Sequence, residues 1–210
     1  MPTPLERAVE VMDRLRSPGG CPWDAEQTHQ SLTPYLLEEA YEVIEAIETG
    51  DLALLREELG DLLLQVLFHS RITQELPPDQ AFGIDDVAND LVAKLVRRHP
   101  HVFAGAEVRS ADELNETWER QKVDEKGRTS AVDGVPLNQP ALALAAKLVA
   151  RARRAQLDLD PATPGPAEDI GGRLMALVAE AVAAGVDPEA ALRRTARGYR
   201  DAMIRREAAG

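Results

Sequence analysis

Glu39 and Glu42, in the run Leu36-Leu37-Glu38-Glu39-Ala40-Tyr41-Glu42, stand three residues apart, and so do Glu58 and Asp61 in Glu57-Glu58-Leu59-Gly60-Asp61. On a helix that spacing turns both carboxylates of a pair to one face. Two such helices side by side would crowd four negative charges together, at a cost in free energy that a cation removes. All-oxygen ligand sets select hard cations, above all Mg²⁺. Mg²⁺ keeps several waters and favours sites shared between carboxylates and substrate phosphates. The chemistry this suggests is phosphate chemistry, with a water activated for in-line attack on phosphorus. A spare carboxylate, Glu38 or Glu45, could orient that water or take its proton. The plainer reading is two solvated acidic helix faces.

Cations to match phosphates are present. Lys94 and Arg98 are four residues apart and flank Arg97. The arginine fork fits phosphate oxygens, although basic residues late in a helix also suit its macrodipole. Trp118 and Lys122 are likewise four apart; the indole could stack on a base while the lysine meets a phosphate, or the tryptophan could be core. Trp23 lies in a Pro/Gly-rich loop, where it could stack on a base or cover the core. Cys21 has no activating partner and reads as structural. His99 and His101 lie on a loop without a clear third metal ligand. A di-iron bundle needs two Glu-x-x-His motifs, and the chain offers Glu26-Gln27-Thr28-His29 in a loop-like segment, which argues against iron. A Walker-type glycine loop is absent.

The elements that must position these residues read as helices throughout, with no convincing strand. The first spans about Pro4 to Arg16 and is broken by Ser17-Pro18-Gly19-Gly20-Cys21-Pro22. Thr33 reads as an N-cap with Pro34 at the first helical position. The helix from Pro34 to about Thr49 is expected to bury Leu36, Leu37, Val43, Ile44 and Ile47. Gly50 then serves as C-cap and Asp51 caps a helix from about Leu52 to Glu75. So short a connection makes the two helices antiparallel neighbours, which brings the carboxylate pairs together. Asp85 is expected to cap a helix reaching Arg98 and stopped by Pro100. Ser110-Ala111-Asp112-Glu113 is a capping box for the helix carrying Trp118 and Lys122. A polar loop over 127–139, a helix from about Pro140 to Gln156, and a linker with Pro161, Pro164, Gly165 and Pro166 follow. Two more helices are expected, from about Glu168 to Ala184 and from Asp187-Pro188 to about Glu207.

Composition fits this reading. Of 210 residues, 44% are hydrophobic and 4% aromatic, so the core is mainly aliphatic, which favours helices. The net charge of −12 is uneven: residues 1–140 hold 27 acidic and 13 basic residues, and residues 141–210 hold 9 and 11. So acidic a surface repels polyanions, and nucleic acid is not an expected partner. One cysteine allows no intrachain disulfide and suggests a cytoplasmic setting. Met1 to Arg16 carries charges throughout and lacks a signal-peptide core. No apolar run approaches the roughly 18 residues of a membrane span, and the protein is expected to be soluble.

One segment recurs. Residues 57–67 align without gaps on residues 168–178, with Glu, Gly and Leu identical and apolar residues matched elsewhere. Asp61 corresponds to Gly172, and no Glu-Glu-x-x-Glu helix precedes Glu168, so the second copy lacks the means to hold a metal. Amphipathic helices also look alike, which is the plainer account.

The sequence resembles the MazG family of nucleoside triphosphate pyrophosphohydrolases. The matching stretches are Gly19 to Asp24 with Glu26-Gln27-Thr28-His29, Tyr35 to Glu42, Leu55 to Leu63, Lys94 to Phe103, and Trp118 with Lys122. The resemblance implies an all-α helical bundle and Mg²⁺-dependent cleavage between the α- and β-phosphates, with Mn²⁺ as an alternative ion. The products would be a nucleoside monophosphate and pyrophosphate, in house-cleaning of aberrant nucleotides. Carried over by motif, Glu39, Glu42, Glu58 and Asp61 would be metal ligands, with Glu38 in the catalytic group. Trp23, Lys94, Arg97, Arg98, Trp118 and Lys122 would contact the nucleotide. A homodimer or higher homo-oligomer is implied, with sites near subunit contacts. Long family members carry two repeats; here residues 1–130 would form the catalytic domain and 131–210 a degenerate copy with a structural or oligomerisation role. Gly198 and Ala202 stand where Lys94 and Arg98 stand in the first copy. Two other readings are a narrower pyrimidine or dUTP pyrophosphatase and a non-catalytic nucleotide-sensing module.

Overall fold

The computed structural model describes residues 1–105, 129–159 and 169–209. Every regular element among them is a helix, and the chain forms two compact units, Met1–Arg109 and Ser110–Gly210. The first contains α1 (Pro4–Arg16), α2 (Pro22–Glu26), α3 (Thr33–Thr49), α4 (Leu52–Thr73), α5 (Ile84–Arg98) and the single turn α6 (Pro100–Phe103). The second contains α7 (Ala141–Arg154), α8 (Ile170–Ala183) and α9 (Pro188–Ala208). No helix among the described residues is long and apolar enough to cross a membrane.

The α3–α4 hairpin is the frame of the first unit. Gly50 takes the left-handed conformation, with φ of 74°, that a side chain would resist. Its N–H donates to the Ile47 carbonyl, and that of Asp51 donates to the Ala46 carbonyl at 3.1 Å, so α3 ends cleanly. Asp51 Oδ1 then accepts from the N–H groups of Ala53 and Leu54, each at 3.0 Å, and starts α4. Two residues thus reverse the chain and lay the helices side by side.

α1 closes over the far end of that hairpin. Thr3 and Glu6 cap it reciprocally: Thr3 N–H donates to Glu6 Oε2 at 2.6 Å, and Glu6 N–H to Thr3 Oγ1 at 3.2 Å. Its apolar face, Ala8, Val9, Met12 and Leu15, meets Leu67, Phe68 and Ile72 of α4, together with Leu32 and Ile84. Each fully buried side chain of this kind contributes about 1.5–3 kcal/mol. Arg16 is buried beside the cluster. Its guanidinium lies 5.9 Å from the Phe68 ring centroid and is hydrogen-bonded to Glu75. In the second unit Val149 of α7 is buried with Val178 and Ala179 of α8, and Arg153 Nη2 of α7 donates to the Ala179 carbonyl at 3.3 Å.

Several expectations from sequence are corrected. Leu32, not Thr33, is the N-cap of α3; Thr33 is already helical, and its hydroxyl donates back to the His29 carbonyl at 3.2 Å. Leu36, Leu37 and Ile47 are exposed, and the fully buried residue of α3 is Ala46. The first unit covers one flank of α3 and leaves the other bare, so helical periodicity alone overstated the burial. α4 ends at Thr73 rather than Glu75. Gly83, not Asp85, caps α5, and Asp86 Oδ2 accepts the Gly83 N–H at 2.8 Å. Trp23 and His101 lie on the short helices α2 and α6 rather than in loops. The expected helix begun at Ser110, with Trp118 and Lys122, lies outside the described residues.

Candidate metal and nucleotide site

The hairpin turn sets the site. Carboxylate oxygens of Glu39 on α3 and of Glu58 and Asp61 on α4 all lie within 4.8 Å of one another. Glu58 is buried, and Glu39 and Asp61 are half-buried. Glu42 is exposed on α3 and is not one of this trio, but its charge acts on both Glu39 and Glu58. Desolvation, then the charges of Asp61 and Glu42, push the Glu39 carboxyl above its ordinary range. Desolvation, then Glu42, Asp61 and Glu57, do the same to Glu58. Such upward shifts measure how strongly the cluster resists holding all its charges. A divalent cation relieves that resistance, and the donor set, oxygen throughout, suits Mg²⁺. The residues present therefore fit the ion.

The other expected residues fall as follows. Glu38 is exposed on α3, one position from Glu39. Lys94, Arg97 and Arg98 occupy the last turns of α5, with Lys94 and Arg97 exposed and Arg98 half-buried. Trp23 is half exposed on α2, its indole edge-on to Tyr35 at 6.0 Å and to Phe68 at 6.4 Å between centroids. That placement fixes the indole beside the N-terminal end of α3. Trp118 and Lys122 lie outside the described residues.

Residues 27–103 match the family model described as the MazG nucleotide pyrophosphohydrolase domain. A nucleoside triphosphate pyrophosphohydrolase/pyrophosphatase MazG from Thermotoga maritima is 39% identical, over 93% of this chain and 82% of that protein. The chain belongs to the MazG family. A nucleoside triphosphate pyrophosphohydrolase from Mycolicibacterium smegmatis is 47% identical over 99% of this chain. A Streptomyces cacaoi protein described as an uncharacterized 26.1 kDa protein in the blaB 3′ region is 54% identical over 93% of this chain and 79% of its own length. The chain spans 61% of the M. smegmatis relative and 57% of a Mycobacterium tuberculosis one of the same name. The crystal structure of a mazG-related protein from Thermotoga maritima covers 56% of this chain and 97% of itself, at 31% identity and a TM-score of 0.46.

The MazG match takes in both carboxylate pairs and the basic end of α5, and begins four residues after Trp23. Two polar residues of α4 within it, Gln65 and His69, went unremarked in the sequence. Gln65 is buried, and His69 stacks on His29 with ring centroids 5.0 Å apart. The available signal was the continuation of Glu58 and Asp61 by steps of four through an apolar helix.

Proposed function

We propose that this MazG-family chain hydrolyses nucleoside triphosphates to nucleoside monophosphates and pyrophosphate in a Mg²⁺-dependent reaction, and that it acts on aberrant nucleotides. The observation that carries this is the convergence of Glu39, Glu58 and Asp61 within 4.8 Å on a hairpin closed by two residues. Glu39, Glu42, Glu58 and Asp61 would hold the ion, which when bound supplies charge neutralisation for the triphosphate and lowers the pKa of water.

The chain's own groups do the rest. Lys94, Arg97 and Arg98 bind the phosphate oxygens and offset charge that builds as the α–β bridge breaks. Trp23 stacks on the base, and Trp118 with Lys122 completes the nucleotide contacts by family motif. Glu38 or Glu45 accepts the proton of the water that bonds to the α-phosphorus, and the β- and γ-phosphates leave together as pyrophosphate. The second unit is a decayed copy, in which Gly172 stands in the place of Asp61 and Asp169, the counterpart of Glu58, is the N-cap of α8. The bare flank of the α3–α4 hairpin, with Leu37 at 55%, Ile47 at 60% and Leu59 at 50% exposure, is covered by a second copy of the chain. We assign the protein to the cytoplasm and expect no nucleic-acid partner.

The test is product analysis with a panel of ribo- and deoxyribonucleoside triphosphates and Mg²⁺. Monophosphate with pyrophosphate is the expected pair, and diphosphate with phosphate would overturn the reading.

A further inference from the structure

Glu58, Asp61, Gln65 and His69 follow one another on α4 by steps of three, four and four, so they share one stripe of the helix. At 1.5 Å per residue, Gln65 lies about 6 Å and His69 about 12 Å along the axis from Asp61. The stripe leads from the carboxylate cluster to the end of the hairpin where Trp23 stands against Tyr35 and Phe68. That is the direction in which a nucleotide would extend if its phosphates lay at the carboxylates and its base under the indole.

Two polar atoms on this path are unsatisfied. Gln65 is 4% exposed, and its Oε1 has no hydrogen-bond partner among the described residues. His69 Nε2 is buried and likewise unpaired, while Nδ1 meets His29 Nδ1 at 2.8 Å. The two rings are parallel to within 9°. Buried polar groups are nearly always paired, and an exception calls for an explanation. Leucine would fill the place of Gln65 without that penalty, and leucines and valines surround it in sequence.

We propose that Gln65 and His69 read the base of the nucleotide whose phosphates are held at Glu39, Glu58 and Asp61. The inference rests on the reading of that cluster as a triphosphate site. The Gln65 amide offers an acceptor beside a donor, the pairing by which glutamine recognises a purine edge elsewhere. The His69 ring, held by its stack on His29, presents Nε2 to the same edge. Burial and, after it, the neighbouring His29 lower the His69 pKa, and in the neutral ring Nε2 serves as donor or acceptor according to the tautomer. His29 is a positioning residue. α2, which carries the half-exposed Trp23, is the cover under which the base enters, and its indole supplies the stacking face.

The test is equilibrium binding to the full chain with Mg²⁺, using nucleoside triphosphate analogues with a methylene in place of the α–β bridging oxygen. The five common bases are compared with inorganic tripolyphosphate. The wild type should separate its best and worst bases by at least about tenfold, near the low end of what leaving a buried polar group unpaired costs. Gln65→Leu and, separately, His69→Phe should collapse that ratio while leaving tripolyphosphate affinity unchanged. The melting temperature of Gln65→Leu should not fall, since its Oε1 bonds to nothing that would be lost; Gln65→Met substitutes if the leucine variant does not fold. Equal wild-type affinity for all bases overturns the proposal. So does a variant that weakens every base and tripolyphosphate alike, the mark of a structural role. Base-selective binding without α–β cleavage would overturn the hydrolytic reading and leave this one standing.

Discussion

Arg16 of α1 and Glu75, just past the end of α4, are joined by two hydrogen bonds, Nε to Oε1 at 2.8 Å and Nη2 to Oε2 at 3.0 Å. The pair is lopsided in burial: the arginine side chain is 6% exposed and the glutamate 43%. Removing the glutamate therefore strands a buried guanidinium, with the Asp24 carbonyl as its remaining acceptor. It also frees Arg71 Nη1, which shares Glu75 Oε1 at 3.1 Å. Glu75→Ala should cost about 3 kcal/mol in urea unfolding, the low end for breaking a buried pair from one side. Asp13→Ala, which removes a carboxylate 61% exposed from Arg71, should cost less than about 1 kcal/mol. Equal costs would refute the asymmetry.

Glu39→Gln should separate stability from function. The like charges around Glu39 push its carboxyl up, so replacing it by a neutral amide relieves the ion-free protein, which should melt higher than wild type. Mg²⁺-dependent turnover should fall by about a hundredfold or more, given that even groups supporting a metal ligand are worth roughly 10–100-fold. The stabilisation that Mg²⁺ gives the wild type should shrink with it. Paired thermal melts with Mg²⁺ and with a chelator, alongside product assays, check all three.

His69 should make the fold sensitive to mild acid. Burial, and after it the charge of His29, hold its pKa below the ordinary 6.5. The folded state thus binds fewer protons at this ring than the unfolded chain does. The stability tied to it is complete above pH 6.5 and is lost as pH falls through the lowered value. Glu39 and Glu58 act in the opposite sense, because raised carboxylates contribute most at low pH and lose that contribution as pH rises. The informative quantity is the difference in melting temperature between wild type and His69→Phe, which should move in favour of the variant below pH 6.5. A difference independent of pH would show that the ring is not buried as the structure has it.

Leu37→Lys should yield monomers. Leu37 is 55% exposed on the bare flank of α3, and a charge there would be buried unpaired if a second copy covers that flank. Light scattering after size exclusion should show wild-type dimers or larger species and a monomeric variant of unchanged helicity. An identical mass for both proteins would place the contact elsewhere.

What the sequence discloses of this protein depends on how local the cause is. The end of α3 and the starts of α4 and α9 can be read from their own residues because Gly50, Asp51 and Asp187-Pro188 act through the neighbouring backbone; Asp187 Oδ1 accepts from the N–H groups of Glu189 and Ala190 as a cap should. The convergence of Glu39 with Glu58 and Asp61 is legible for the same reason, since the turn leaves no room for another arrangement. α5 is harder, because Asp85 and Asp86 sit side by side and the choice of cap falls to Gly83 with Asp86. Leu36, Leu37 and Ile47 mislead, because a helical period marks an apolar face without saying what covers it. Gln65 and His69 stay hidden because a polar residue in an apolar run forms no motif until its burial is known.

The two-residue turn at Gly50 and Asp51 has a consequence for how this family's sites can change over descent. A helix turns by about 100° per residue, so one inserted or deleted residue there would swing Glu58 and Asp61 away from Glu39 while leaving every carboxylate in place. Point substitution can retune such a site gradually, but a single-codon insertion at that bend would extinguish it in one event.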